Sequence, residues 1–128
     1  MSAMSNYLEN ALVNAVLRGT SYTSPTTVYL GLFTSNPTDA GTGTEVSGGA
    51  YARKAITFSA PSDGVSTSSA DVLFPVATAA WGTVTHIGIF DALTGGNLLF
   101  HGTLINSKTI AADDQLKIAA GDVSITLA

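Results

Sequence analysis

The sequence is poor in cysteine and in charged residues, and each shortage excludes classes of protein. With no cysteine in 128 residues, a disulfide framework, a thiolate metal site and a cysteine nucleophile are all excluded. Asp, Glu, Lys and Arg make up 11% of the residues, against about 25% in a typical soluble domain. Hydrophobic residues reach 45%. Because charged residues are so few, the surface must be built largely from Ser, Thr, Ala, Asn and Gly. This balance favours a protein that buries much of its exterior against neighbours, with a weakly charged monomer as the alternative.

Long apolar runs and a basic stripe are missing as well. No run approaches the roughly 18 residues of a membrane-spanning helix. The start of the chain, MSAMSNYLEN, lacks the basic residues and apolar core of a signal peptide. The formal net charge is −4, and Arg53-Lys54 is the single basic doublet. Since nucleic-acid-binding proteins normally carry a basic stripe, we expect no nucleic-acid partner, no membrane partner and no export by the general secretory route.

The first predicted element is an amphipathic α-helix over residues 5–18. Asn6 and Glu9 have the spacing of a capping box, and Gly19 tolerates the positive φ of a helix C-terminal cap. Polar residues recur at every fourth position from Asn6 to Arg18. The other side of the helix is a broad apolar face made by Leu8, Leu12, Val13, Val16 and Leu17. We expect this face to lie on another part of the chain, such as the strand that follows.

The rest of the chain, residues 26–128, has the patterns of short β-strands. Seven segments are predicted as strands, at 26–33, 51–58, 66–74, 81–91, 97–105, 115–119 and 123–127. This spacing predicts a mainly β protein, an antiparallel β-sandwich or barrel of about seven strands with one N-terminal helix. The last two segments are expected to pair with each other. The length fits a single domain, 1–128, in which residues 34–49 form a long loop.

Residues 85–102, THIGIFDALTGGNLLFHG, read as a hairpin that carries both histidines of the chain. A turn about Leu93–Gly96 places His86 opposite His101 or within one residue of it. One register makes the two rings cross-strand neighbours, and a slip of one residue puts them on opposite faces. Two imidazoles alone do not complete a closed zinc site, which wants about four ligands. We therefore expect no metal site, with each histidine in a half-exposed strand position and hydrogen-bonded through one ring nitrogen.

Groups that would support catalysis are not combined in any known pattern. The sequence has no G-x-S-x-G motif, and the acidic pair Asp113-Asp114 has the character of a turn. Asp39 and Glu45 lie in the long loop and are expected to be solvated charges. We therefore predict a protein without enzymatic activity or cofactor. Among the aromatic residues, Trp81 and Tyr51 are candidates either for core packing or for contacts with a partner or a sugar.

Three blocks resemble short virion structural proteins of tailed bacteriophages, which are often labelled tail-fibre or structural proteins. The blocks are VYLGLF (28–33), GGAYAR (48–53) and the segment 81–102, and the resemblance extends over nearly the whole chain. It implies a component of the virion, assembled in the host cytoplasm and without known catalysis. The partners that it implies are other virion proteins, either the major capsid protein or tail proteins, and further copies of the chain, for example in a trimer.

Two positions on the particle are compatible with this resemblance. A capsid decoration (cement) protein is a compact, weakly charged β subunit present in many copies, whereas a tail-fibre or tail-tip component contributes to host attachment. The chain is short and has no coiled-coil or collagen-like repeat, so we favour capsid decoration. The alternatives are a tail-fibre component and a carbohydrate-binding module. The residues that we select as candidates for interaction are Tyr51, Arg53, Trp81, His86 and His101.

Overall fold

A computed structural model describes residues 2–127 of the chain. Within this range the chain forms one helix and nine strands. The helix is α1 (Asn6–Leu17), and the strands are β1 (Ser2–Met4), β2 (Val28–Phe33), β3 (Lys54–Ile56), β4 (Val65–Thr67), β5 (Val72–Leu73), β6 (Gly82–Phe90), β7 (Leu98–Ile110), β8 (Lys117–Ile118) and β9 (Ser124–Thr126). The prediction of a mainly β protein with one N-terminal helix is confirmed. The helix is not long and apolar enough to cross a bilayer.

The strands form one main sheet and two small ribbons, all of them antiparallel. The main sheet has the order β1-β7-β6-β2-β3, and the ribbons pair β4 with β9 and β5 with β8. Leu30 and Ile89 of the main sheet share one buried cluster with Val72 and Ile118 of a ribbon. The ribbons therefore cover one face of the main sheet, as in a sandwich, and the described strands do not close into a barrel.

The burial of strand β2 on both faces explains why its sequence is a nearly continuous apolar run. Leu30 and Leu32 are fully buried in the main cluster, whereas Phe33 belongs to a second cluster with Phe90 and Leu98. Because alternate side chains of a strand point to opposite faces, the sheet is covered on both sides at β2. This arrangement agrees with the two-sided burial that the run predicts.

The strand count and the pairing of the last strands differ from the prediction. The segment 66–74 does not form one strand but supplies β4 and β5, and the expected pair 115–119/123–127 is absent from the described residues. Instead, β8 pairs with β5 and β9 with β4. The cause is a contact between distant parts of the chain: the buried hydroxyl of Ser68 accepts hydrogen bonds from the N–H groups of Gly121 and Val123. The turn between β8 and β9 is thereby attached to residue 68 and separates the two strands.

Strand β7 is longer than predicted and contains a wide bulge. Val84 pairs with Lys108 and His86 pairs with Thr103, so residues 104–107 of β7 lie opposite Thr85 alone. Bulges of this kind interrupt the ladder and redirect side chains. At this bulge Ile105 is 97% exposed.

The N-cap of helix α1 lies one residue before the predicted N-cap, and the helix buries fewer apolar side chains than predicted. Ser5, not Asn6, is the N-cap, since its hydroxyl accepts a hydrogen bond of 3.2 Å from the N–H of Leu8. Only Leu8 is fully buried in the helix, whereas Val13, Val16 and Leu17 are 53%, 77% and 76% exposed. The predicted apolar face is thus covered on its N-terminal, Leu8 side, and its C-terminal half faces solvent.

Candidate functional site

Arg53 is the centre of a polar network above the main sheet. Its Nε and Nη2 donate to the two carboxylate oxygens of Glu45, both at 2.8 Å. Its Nη1 donates to the carbonyl oxygens of Ala92 (2.9 Å) and Gly95 (2.8 Å), and its Cζ lies 3.5 Å from the centroid of the Phe90 ring. The guanidinium therefore makes a bidentate ion pair with Glu45, stacks on the Phe90 ring and is hydrogen-bonded to the hairpin turn. It holds the long loop and the turn between β6 and β7 together.

Tyr51 connects this network to the core. Its hydroxyl donates to Glu45 Oε2 at 2.6 Å and accepts from the N–H of Leu32 at 3.0 Å. Its ring is stacked on Phe74 and meets Trp81 edge-on, with centroids 6.4 and 5.4 Å apart. Burial raises the pKa of the Tyr51 hydroxyl, and the hydrogen bond to Glu45 raises it further. Tyr51 therefore remains a neutral donor at physiological pH.

Trp81 is buried in the same aromatic group. Its ring meets Phe74 edge-on at 6.5 Å between centroids, and its Nε1 donates to the carbonyl oxygen of Gly49 at 2.8 Å. Of the two roles considered for Trp81, core packing matches this position, since the ring presents no open face on which a sugar would stack.

Gly31 makes room for the network. A Cβ atom at this position would lie 2.9 Å from Glu45 Oε2 and 3.2 Å from the Tyr51 hydroxyl. A side chain at this position would require the Glu45 carboxylate and the Tyr51 hydroxyl to shift, so glycine allows the carboxylate to approach the strand this closely. The glycine in the VYLGLF block therefore has a packing reason.

The two histidines are farther apart in register than predicted. His86 pairs with Thr103 and His101 pairs with Gly88, which is an offset of two residues on one face of the sheet. The physical reason is a bulge between Ile89 and Phe90, which shifts the pairing by one further residue. The two rings are thus not direct cross-strand neighbours, and the described residues contain no group of three or more potential metal ligands.

Each histidine has a hydrogen-bond partner of its own. His101 Nε2 lies 2.8 Å from Asp39 Oδ1, and His86 Nδ1 lies 2.7 Å from the hydroxyl of Thr85. Glu45 therefore departs from the expectation of a solvated loop charge, because Arg53 binds both of its carboxylate oxygens. Asp39 agrees with that expectation in part, since its side chain is 47% exposed and only one of its oxygens has a partner among the described residues. The chain has only five Lys and Arg residues. Asking which acidic residue near Arg53 in the sequence could pair with it would have identified Glu45.

A cleft of about 440 Å³ opens beside these contacts. Phe33, Phe90 and Leu98 form its apolar floor, and the two phenyl rings are stacked with centroids 5.9 Å apart. The other lining residues come from the start of α1, from residues 39–41 and from residues 96–97. The cleft could not be predicted from the sequence, because its walls come from segments that are far apart along the chain.

Comparison with protein-family models gives a match to the family described as "Podophage GP4 fiber I protein gp80" (Gp80), over residues 3–126. The chain belongs to the Gp80 family. Membership confirms the resemblance to virion structural proteins of tailed phages and identifies a fibre-type structural protein that is a component of the virion. Among curated proteins no match is found.

The Gp80 match changes the order of the two predicted positions on the particle. It agrees with the tail-fibre alternative and gives no specific support to capsid decoration. The preference for decoration rested on the missing shaft repeat, and a fibre protein without such a repeat satisfies the same observation. Association with other virion proteins follows from the family.

Proposed function

We propose that this protein is a non-enzymatic subunit of the phage tail fibre, incorporated when the particle assembles in the host cytoplasm. The observation that carries the proposal is the Gp80 match over residues 3–126. A structural role is supported by the network of Arg53, Glu45 and Tyr51, whose charged and polar atoms are bound by one another and by the backbone. Such a network stiffens the molecule rather than offering a group to a substrate.

The exposed half of α1 is the surface that we assign to a neighbouring virion protein. Val13, Val16 and Leu17 are each more than half exposed, and no charged residue lies between Val13 and Leu17. Three apolar side chains on one short stretch form a patch rather than isolated exposed residues. The partner surface is therefore apolar and uncharged, and it belongs to an adjoining protein of the fibre.

Labelling of whole particles tests the position. Antibodies against the protein, detected with gold on intact virions by electron microscopy, are expected to label tails. Gold on heads would contradict the tail-fibre proposal and favour capsid decoration.

The same particles test the α1 surface. In phage carrying Leu17→Glu, fewer copies should be incorporated, because a carboxylate must lose its water to enter an apolar contact. The measurement is a quantitative immunoblot of purified virions. Leu73→Glu is the matched control, since Leu73 is half exposed on β5. Equal incorporation of both variants would contradict the assignment, and a change in the oligomeric state of purified Leu17→Glu would identify a second copy as the partner.

A further inference from the structure

We propose that the peptide bond between Asp63 and Gly64 is a site of spontaneous covalent modification, at which the aspartate converts to isoaspartate in the folded protein. This goes beyond the structural role in the fibre and does not depend on it. Asp63 is the one aspartate of the chain that a glycine follows, and no asparagine has a glycine after it. The sequence therefore offers this chemistry a single favourable position.

Asp63 and Gly64 form the tip of a tight hairpin. The N–H of Ser62 donates to Val65 O and the N–H of Val65 donates to Ser62 O, both at 2.9 Å, so the loop consists of these two residues alone. Their φ angles are +52° and +77°, and positive φ at both central residues is the mark of a type I′ turn, which favours Asp-Gly. Both residues are exposed. The turn that suits this residue pair therefore also presents its peptide bond to water.

The two reacting groups are not held by other parts of the fold. Among the described residues, neither the carboxylate of Asp63 nor the N–H of Gly64 has a hydrogen-bond partner, and the carboxylate is in no ion pair. Glycine also has no Cβ that would shield its nitrogen from the neighbouring carboxyl group. The nitrogen and the carboxyl group are therefore both free to approach each other.

The reaction requires no reagent other than water. The nitrogen of Gly64 attacks Cγ of the Asp63 carboxylic acid, so that an N–Cγ bond forms, a Cγ–O bond breaks, and the hydroxyl leaves with the amide hydrogen as water. A second water molecule then opens the resulting succinimide ring. Attack at Cγ restores aspartate, whereas attack at the main-chain carbonyl carbon breaks the original peptide bond and leaves the chain connected through Cγ as isoaspartate. The product has the same mass as the starting protein, and no oxidation or reduction takes place.

Two other aspartates show what distinguishes Asp63. Asp113 is also exposed and has φ +73°, but the next nitrogen along the chain belongs to Asp114 and donates to Ala111 O at 3.1 Å. Asp91 is followed by a residue with a side chain, and its carboxylate accepts two hydrogen bonds. A bound nitrogen or a bound carboxylate must first break its hydrogen bond before a ring can close, so we expect both aspartates to react more slowly than Asp63.

The modification changes a turn that is attached to strand β9. The carbonyl oxygen of Gly64 accepts a hydrogen bond of 2.8 Å from the N–H of Leu127, and the backbone of Leu127 lies so close that a Cβ at Gly64 would have no room. Isoaspartate adds one methylene group to the main chain of a loop that fits two ordinary residues. We therefore expect the bond to Leu127 to be lost and the adjoining pair Val65–Thr126 to open more often. Because Ile125 packs against the main core cluster, the change reaches the cover of the main sheet.

Incubation in H₂¹⁸O measures the reaction. The purified protein is kept folded for several weeks in a warm, mildly acidic buffer made with H₂¹⁸O and is then digested in ordinary water. Each passage through the succinimide incorporates an oxygen from the solvent. Mass spectrometry should therefore find ¹⁸O in the peptide that contains Asp63, and electron-transfer fragmentation should identify isoaspartate at this position. The peptides that contain Asp91 and Asp113 are internal controls and should gain less ¹⁸O.

Variants at position 63 separate ring closure from other changes on storage. Asp63→Asn keeps a residue that suits the type I′ turn and provides ammonia as a better leaving group, so isoaspartate should form several times faster than in the unchanged protein. Asp63→Ser cannot form the ring and should gain neither ¹⁸O nor isoaspartate.

Hydrogen exchange tests the structural consequence. In protein that contains isoaspartate, the N–H groups of Val65 and Leu127 should exchange faster than in fresh protein, whereas that of Leu30 in the main sheet should keep its rate. Stored Asp63→Ser should keep the rates of its own fresh sample at all three positions.

Three results would overturn the proposal. The first is folded protein without ¹⁸O or isoaspartate at Asp63, and the second is a gain no larger than that at Asp113. The third is conversion that occurs only after the protein is unfolded in urea, since the turn would then protect the bond. Unchanged exchange of Leu127 in fully converted protein would contradict the expected effect on β9. Gold on phage heads would leave all of these results unaffected.

Discussion

The two acidic residues of the long loop, Glu45 and Asp39, sit in contrasting environments. Glu45 is 24% exposed and binds Arg53 through both oxygens, whereas Asp39 is 47% exposed and contacts His101 through one. The first carboxylate is saturated by the fold, and the second keeps an acceptor available to solvent or a ligand. A carboxylate thus fixes the fold at one end of the loop and remains accessible to solvent at the other.

Replacing Glu45 should have the largest effect. Glu45→Ala leaves Arg53, whose side chain is 9% exposed, without its ionic partner, and removal of one member of a buried pair costs about 3 kcal/mol. Urea unfolding monitored by Trp81 fluorescence measures the loss. Asp122→Ala removes an exposed acid elsewhere and should stay within about 0.5 kcal/mol. A loss no larger than that of the control would mean that the network is not structural.

A smaller effect, with a pH signature, is expected for Tyr51→Phe. The hydroxyl makes hydrogen bonds with Glu45 and Leu32, so its loss should reduce stability by about 1 kcal/mol. Because the folded-state pKa of Tyr51 is raised above its ordinary value of 10.0, the contribution is complete below pH 10 and declines as pH rises above it. Urea midpoints are measured between about pH 8 and 11, a range that includes the ordinary pKa of tyrosine. The midpoint should fall less steeply with rising pH in the variant than in the unchanged protein. Identical slopes would refute this explanation.

The smallest effect should come from Asp39→Asn. An exposed ion pair contributes roughly 0–1 kcal/mol, so the urea midpoint should change little at neutral pH. A loss as large as that of Glu45→Ala would erase the contrast between the two loop acids and make Asp39 a structural residue.

Elements with strong local patterns were predictable from the sequence. The apolar run of β2 and the arms of β6 and β7 have the strand character that their residues indicate, and Gly19 adopts φ +67° after α1. Local pattern does not select the pairing partner, however. The separation of β8 from β9 depends on the hydroxyl of Ser68 meeting residues 121 and 123, which lie far from it in the sequence.

The candidate residues were predictable only as residue types. Arg53, Tyr51 and Trp81 do lie close to one another, but as parts of an internal network rather than as an outward platform. The cleft depends on contacts between residues 6 and 39 and between residues 39 and 101. Such long-range contacts leave no periodic signal in the sequence, so Asp39, Asn6 and Asn97 could not be singled out together.

The bulge in β7 contains residues that do not pair in the ladder, so their number can change without altering the strand register on either side. Pairs 82–84 with 108–110 fix the ladder on one side of it, and pairs 86–89 with 100–103 fix it on the other. Residues 104–107 connect the two ladders without adding rungs to either. An epitope tag inserted between Ile105 and Asn106 would therefore lengthen the chain without shifting the register of either ladder.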